Sequence, residues 1–223
     1  MKIGAVVFDM DGLMIDSERV IQYSWGVVGR RMGYAHLDQD IYCTLGLNQK
    51  GREQFFRQKY GESFPYETFL EEYRREYAAY MKAHGIPPKK GLYQLLSFLK
   101  KERIPMAIAT SSSAKSAVRS LKELGVYEDF GGYVFGDMVT HSKPHPEIYE
   151  KACASIHAVP RETVALEDSV NGIKSAYGAG LIPVMVPDLV RDTREVDALL
   201  AARKQDLQEV ADWIREQLRE PTP

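Results

Sequence analysis

The stretch Lys2-Ile3-Gly4-Ala5-Val6-Val7-Phe8-Asp9-Met10-Asp11-Gly12 decides the fold. Ile3 and Ala5 to Phe8 form an almost unbroken apolar run, the pattern of a strand buried on both faces of a parallel sheet. It ends abruptly in two carboxylates two residues apart, Asp9 and Asp11. Residues i and i+2 of a continuing strand share a face. Ligands of open α/β sheets bind at the strands' carboxyl ends. Gly12 then lets the backbone turn sharply away. Taken alone, the two acids could equally be turn formers closing an ordinary strand; the rest of the chain has to decide.

Downstream, apolar runs alternate with helical patterns. Leu92, Leu95, Leu96 and Leu99 recur at helical spacing, and 105–110 reads as a short buried strand. A helix over 113–124 stops at Gly125. Then come a strand at 133–135, a helix over 146–155, a strand over 163–166, a helix over 170–177 and a strand over 183–186. Leu207, Val210, Ala211, Ile214 and Leu218 mark a last helix. Strands alternating with helices of this length imply βαβ units, hence a doubly wound, Rossmann-like parallel sheet with right-handed crossovers.

Between the first strand and this alternation lies a block with no strand pattern. Ser17 is a fitting N-cap for a helix over 17–32 that Gly33 ends. Further helices are expected over 50–60 and 66–84, with Gly61, Pro65 and Gly85 to Pro88 as punctuation. The expected organisation is a discontinuous core, 1–15 and 88–223, with an α-helical cap domain, 16–87, inserted over the strand end as a lid. Its hinges would be Ile15–Asp16 and Gly85–Pro88.

Bulk properties narrow the class. The 223 residues are 44% hydrophobic, enough for one sizeable core and a smaller appendage. Basic and acidic residues number 29 and 31, with no basic stripe that would fit nucleic acid. No apolar stretch approaches the roughly 18 residues of a membrane span, and the first residues show no signal-peptide pattern. Two cysteines, Cys43 and Cys153, make no disulfide framework. A cytoplasmic monomer is expected.

Candidate chemistry sits just past each strand. Thr110 to Ser113 offers hydroxyls and backbone N–H groups at a helix start, an anion site or an ordinary N-cap. Ser142-Lys143-Pro144-His145-Pro146 holds a lysine between prolines before another helix. Glu167-Asp168 adds two acids, which would repel Asp9 and Asp11 unless a cation sat among them. An oxygen-only set without Cys or a His cluster points to Mg²⁺, with Asp168 the direct ligand and Glu167 binding directly or through water. Gly178 and Gly180 follow a helix and precede a strand, the reverse of a dinucleotide loop.

The run from Asp9-Met10-Asp11-Gly12 to Glu18, with Thr110, the Lys143-Pro-x-Pro setting and Glu167-Asp168 in that order, resembles the haloacid dehalogenase (HAD) superfamily. The likeness runs over essentially the whole chain and is closest to the phosphatase and β-phosphoglucomutase-like branch. It implies an aspartyl-phosphate route in which Asp9 attacks phosphorus and Asp11 is general acid, then base. Thr110, the Ser111 N–H and Lys143 would hold the phosphoryl group, and Asp9, the Asp11 carbonyl and Asp168 would hold Mg²⁺. The expected substrate is a small phosphorylated metabolite such as a sugar or polyol monophosphate, with Asn48, Lys50 and Arg52 as candidate contacts to its remainder. β-Phosphoglucomutases carry a histidine, a lysine and an arginine where this chain has Ile21, Leu45 and Gln49, so water is the expected acceptor. A receiver-type phosphoacceptor domain is the reading from outside enzymology; it lacks both the acid two residues past the nucleophile and some seventy residues of cap.

Overall fold

The computed structural model describes residues 2–44, 49–189 and 193–219, without the side chains of Gln49 and Lys50. The chain divides into two compact units. One comprises Met1–Asp16, Pro88–Asp188 and Asp192–Pro223; the other comprises Ser17–Pro87 and Leu189–Arg191.

The first unit is built on a six-stranded, all-parallel sheet. Its strands are β1 (Ala5–Phe8), β2 (Met106–Ala109), β3 (Gly132–Val134), β4 (Thr163–Glu167), β5 (Ile182–Met185) and β6 (Ala202–Arg203), in the order β3-β2-β1-β4-β5-β6. Each strand pairs in parallel with its neighbours, Val6 lying opposite both Met106 and Val164. β1 is therefore central, and every residue of it is buried, as a strand hydrogen-bonded and covered on both sides must be. The chain winds to one side of β1 through β2 and β3 and to the other through β4, β5 and β6. That reversal opens a crevice at the carboxyl ends of β1 and β4. It also differs from the 2-1-3-4-5 order of receiver domains.

Strand alternation sorts the core into layers. Val7, Ala107, Ala109, Val134 and Ala165 pack with Ile148, Tyr149, Ala152 and Cys153 of a helix over Glu147–Ser155, and with Ala176 of a helix over Val170–Gly178. Three alanines on the sheet side leave room for helix backbone to come close. Val6, Phe8, Met106, Ile108, Val164 and Leu166 have the opposite parity and are also buried. The loop after β1 doubles back. Gly12 N donates to Ile15 O (3.0 Å), Met14 N to Met10 O (2.9 Å), and Lys89 N to Met14 O (2.9 Å). The ammonium of Lys89 pairs with Asp16 and Asp188, drawing together three places where the chain enters or leaves the sheet.

The second unit is helical among its described residues: α1 (Ser17–Met32), α2 (Leu37–Thr44), α3 (Gln49–Tyr60) and α4 (Tyr66–His84). Its own core is aromatic: Trp25, Phe56, Phe64, Tyr66 and Phe69 pack with Val28, Leu37 and Ile41. Phe56 lies at its centre, stacked on Phe64 at 5.1 Å and edge-on to Trp25 at 5.4 Å between ring centroids. The remaining helices, all in the sheet unit, are α5 (Leu92–Lys101), α6 (Ala114–Glu123), α7 (Glu147–Ser155), α8 (Val170–Gly178) and α9 (Leu207–Arg219).

Sequence and structure part at α2, a short helix lying where none was expected, and at one strand. β6 has two residues, one of them exposed, and no apolar run to announce it. No helix among the described residues is long and apolar enough to cross a membrane.

Phe56→Ala empties the centre of the aromatic cluster. It should lower unfolding free energy by about 3–5 kcal/mol, read as an earlier midpoint in urea denaturation; a change below about 1 kcal/mol would mean that Phe56 does not organise this core.

Candidate active site

The site grows from the tip of β1. Asp9 still belongs to the sheet, its N–H donating to Leu166 O at 3.0 Å, and its carboxyl is buried. Asp11, two residues on, is exposed at the start of the loop. Gly12 has φ +83°, and a Cβ there would overlap the Asp168 carboxylate. Only glycine lets the β1 loop lie this close to the end of β4.

Lys143 comes from the loop before α7, and its ammonium uses all three protons. It donates to Asp9 Oδ1 (2.6 Å), Glu167 Oε1 (2.6 Å) and the Ala109 carbonyl (3.0 Å). It also lies 5.1 Å from the centre of the Tyr149 ring. Glu167, the last residue of β4, is fully buried and saturated. Oε1 also accepts the Tyr149 hydroxyl (2.8 Å), while Oε2 accepts Asp168 N (3.1 Å), Ser169 N (3.2 Å) and Ser169 Oγ (3.0 Å). A Cβ on Gly172 would collide with this carboxylate, so the first turn of α8 must pass it as glycine.

Burial works against every charge in this cluster. For Glu167, Lys143, Tyr149 and the Ser169 N–H outweigh burial and hold its carboxyl below the usual range. For Lys143, Asp9 and Glu167 likewise overcome burial and keep the ammonium protonated. For Asp9 the balance goes the other way. Burial raises it, Lys143 opposes, and Glu167 and Asp11 add repulsion. Burial, then Glu167, also pushes the Tyr149 hydroxyl well up, so it stays a donor.

Asp11 is oriented separately. Its Oδ2 accepts Ser112 Oγ (2.7 Å) and Thr110 Oγ1 (3.3 Å), and Ser112 N donates back to Thr110 Oγ1 (3.1 Å). The helix start expected to offer open N–H groups is partly taken: Ala114 N donates to the Asp137 carboxylate at 3.1 and 3.2 Å. The backbone of Ser111 is covered closely by Gly136, whose N–H donates to Ser112 O at 2.8 Å.

The structure thus brings Asp9, Asp11, Thr110, Lys143, Glu167 and Asp168 together at the crevice between β1 and β4. The expected substrate contacts belong to the other unit. Leu45 and Asn48 lie outside the described residues, as does the Lys50 side chain. Arg52 is half-buried on α3, and its Nε has no hydrogen-bond partner among the described residues.

The sequence profile of the haloacid dehalogenase-like hydrolases matches residues 6–186. The chain belongs to this family. Among its relatives, a phosphorylated carbohydrates phosphatase of Thermotoga maritima is 29% identical over 181 residues, 79% of this chain and 82% of that protein. Hexitol phosphatase A of Escherichia coli is 28% identical over 207 residues, 92% and 94% of the two chains. A HAD family hydrolase from Deinococcus radiodurans, crystallised with bound phosphate and sodium, superposes with a TM-score of 0.82 at 25% identity, over 99% of both chains.

In this HAD hydrolase, one ligating oxygen from each of Asp9, Glu167 and Asp168 lies within 4.8 Å of the others, and all three residues are buried. Among the described residues, the Lys143 ammonium pairs with Asp9 and Glu167 of this trio. The buried, oxygen-only donors fit a hard divalent cation such as Mg²⁺. Two partners escaped the sequence reading, Tyr149 and Ser112. Ser112 lay inside the quoted Thr110–Ser113 stretch, and its role was not separable from that of its neighbours. Tyr149 reads as one more apolar position of α7.

Magnesium should therefore stabilise the folded chain before any substrate is added. Added at a hundred times its dissociation constant, it is worth about 2.7 kcal/mol. The expectation is a higher thermal midpoint with Mg²⁺ than with EDTA, and a much smaller rise in Asp168→Asn. Equal rises in both proteins would remove Asp168 from the metal's ligands.

Proposed function

We propose that this chain is a Mg²⁺-dependent phosphatase that hydrolyses a small phosphorylated carbohydrate, a sugar or polyol monophosphate, through a phosphoenzyme on Asp9. The observation that carries the proposal is the Lys143 ammonium 2.6 Å from both Asp9 and Glu167 at the mouth of the sheet's crevice. Family membership and relatives named for phosphorylated carbohydrates and hexitols support the substrate class.

In this reading Asp9 attacks phosphorus with one carboxylate oxygen, and the bond to the substrate oxygen breaks. Asp11 hands its proton to the departing alkoxide, then takes one from the water that attacks the aspartyl-phosphate, which releases inorganic phosphate and restores Asp9. Thr110 and the Ser111 N–H hold the phosphoryl oxygens. Lys143 neutralises Asp9, and Glu167 with Tyr149 holds Lys143 in place. Glu167, with both oxygens already engaged, is better suited to that task than to direct ligation. Bound by Asp9, the Asp11 carbonyl and Asp168, Mg²⁺ would lessen repulsion between an anionic nucleophile and an anionic substrate.

The helical unit is proposed to be the cap that selects the rest of the substrate, with Arg52 as one contact. Water is the proposed acceptor. Ile21, where β-phosphoglucomutases have a histidine, is partly buried against the helical unit's aromatic cluster, where it offers no polar group to a second sugar position.

The test is phosphate release from a panel of sugar and polyol phosphates. Metal-dependent multiple turnover is expected, with EDTA abolishing it and Asp9→Asn inactive. Asp11→Asn should lose about 10²–10⁴-fold in kcat and accumulate hydroxylamine-labile phosphate on the protein. Wild-type turnover in Asp11→Asn, or release that ignores EDTA, would overturn the mechanism.

A further inference from the structure

The loop that delivers Lys143 carries a second group of ligating side chains, separate from the acids described above. His141 and His145 stand two residues to either side of Lys143, and Glu147 opens α7. One ligating atom from each of these three residues lies within 4.8 Å of the others. The two imidazole rings face each other at 4.5 Å between centroids, with 31° between their planes.

This grouping is built rather than incidental to an exposed loop. The Glu147 carboxylate accepts Thr140 N (3.0 and 3.2 Å) and His141 N (2.9 Å), and its Oε2 lies 3.2 Å from His141 Nδ1. The Glu147 N–H in turn approaches His145 Nδ1 at 3.3 Å. Both rings are thereby tied to the first turn of α7. The Lys151 ammonium also donates to Glu147 Oε1 at 2.7 Å. Lys151, then the Thr140 and His141 N–H groups, hold the Glu147 carboxyl down to about 2, so it is an ionised oxygen donor. Thr140, His141, Ser142, Pro144 and His145 line an open hollow of about 570 Å³ through which solvent reaches the rings.

Two imidazole nitrogens with one carboxylate oxygen are a different donor set from the oxygen-only cluster at Asp9. Nitrogen donors of this kind suit zinc, copper and nickel, whereas magnesium takes oxygen and water. We propose that His141 and His145 ligate a second cation, a divalent transition-metal ion of the zinc type, with the engaged Glu147 carboxylate beside them meeting it through the water that completes its shell. It requires no part of the proposed phosphatase chemistry, so the two stand or fall separately.

The test uses the full chain with Mg²⁺ in excess, so that the acidic cluster is already served. Calorimetric titration with Zn²⁺ should show one site per chain, weakened at least about tenfold in His141→Gln and in His145→Gln, the lower bound for losing even an indirect partner of a metal. His84→Gln, altered on a helix of the other unit, should bind as the wild type does. Cu²⁺ added to the wild type should give an electron paramagnetic resonance spectrum with hyperfine coupling to two imidazole nitrogens, a signature the oxygen-only cluster cannot produce and one that needs no variant to fold. Absence of Zn²⁺ binding, unchanged affinity in both His141→Gln and His145→Gln, or a copper spectrum with oxygen ligands alone would overturn the proposal.

Discussion

A single buried ammonium fixes the sheet unit's functional end. Lys143 is nearly inaccessible to water and lies 2.6 Å from each of two buried carboxylates, Asp9 and Glu167. Taking an ion out of water costs several kcal/mol, and only good geometry with every remaining donor and acceptor used offsets it. That condition is met on both sides. The third Lys143 proton reaches the Ala109 carbonyl, and every Glu167 oxygen is shared among Tyr149, Lys143 and the backbone of the next turn. Once these partners are set, β2, β4, α7 and α8 have little freedom at this end of the sheet. Gly172 shows the tightness, since any side chain there would displace the Glu167 carboxylate.

Topology explains why these residues meet at all. Asp9, Thr110, Lys143 and Asp168 are spread over 160 residues of chain, yet each follows a strand of one parallel sheet, and parallel strands present their carboxyl ends at the same edge. The order β3-β2-β1-β4 places the strands that lead into Thr110 and Asp168 on either side of the one that leads into Asp9. The alanines of β2 and β4 then let α7 come down onto the sheet, which brings Tyr149 within reach of Glu167.

Much of this was legible in the residues. Short apolar runs ended by polar residues marked five of six strands, because a strand covered on both faces has no polar position to confuse the pattern. β6 was illegible for the converse reason: two residues at a sheet edge bury too little to leave a signal. Strand-end acids, hydroxyls and the lysine were legible as chemistry, since each breaks an apolar run where a ligand would lie. Which proton goes to which oxygen was not. That Ser112 rather than Thr110 makes the shorter bond to Asp11 depends on a loop geometry held by Gly136, twenty-four residues away. Tyr149 sits among apolar neighbours at helical spacing, and only the folded contact with Glu167 separates it from them.

Asp9 and Asp11 illustrate how one short loop can give two carboxylates unlike characters. Asp9 is buried, paired with an ammonium and crowded by Glu167, so its charge is costly and depends on cations nearby. Asp11 is exposed and oriented by the hydroxyls of Thr110 and Ser112. Acid and base roles in a site follow from such differences of environment between paired titratable groups. A nucleophile benefits from being held rigidly beside positive charge, and a group that must give and retake a proton benefits from access to water. The loop after β1 offers both settings within three residues, as the proposed mechanism requires, because Gly12 turns the chain between a β4 carboxylate it cannot clear with a side chain and the hydroxyls at the end of β2.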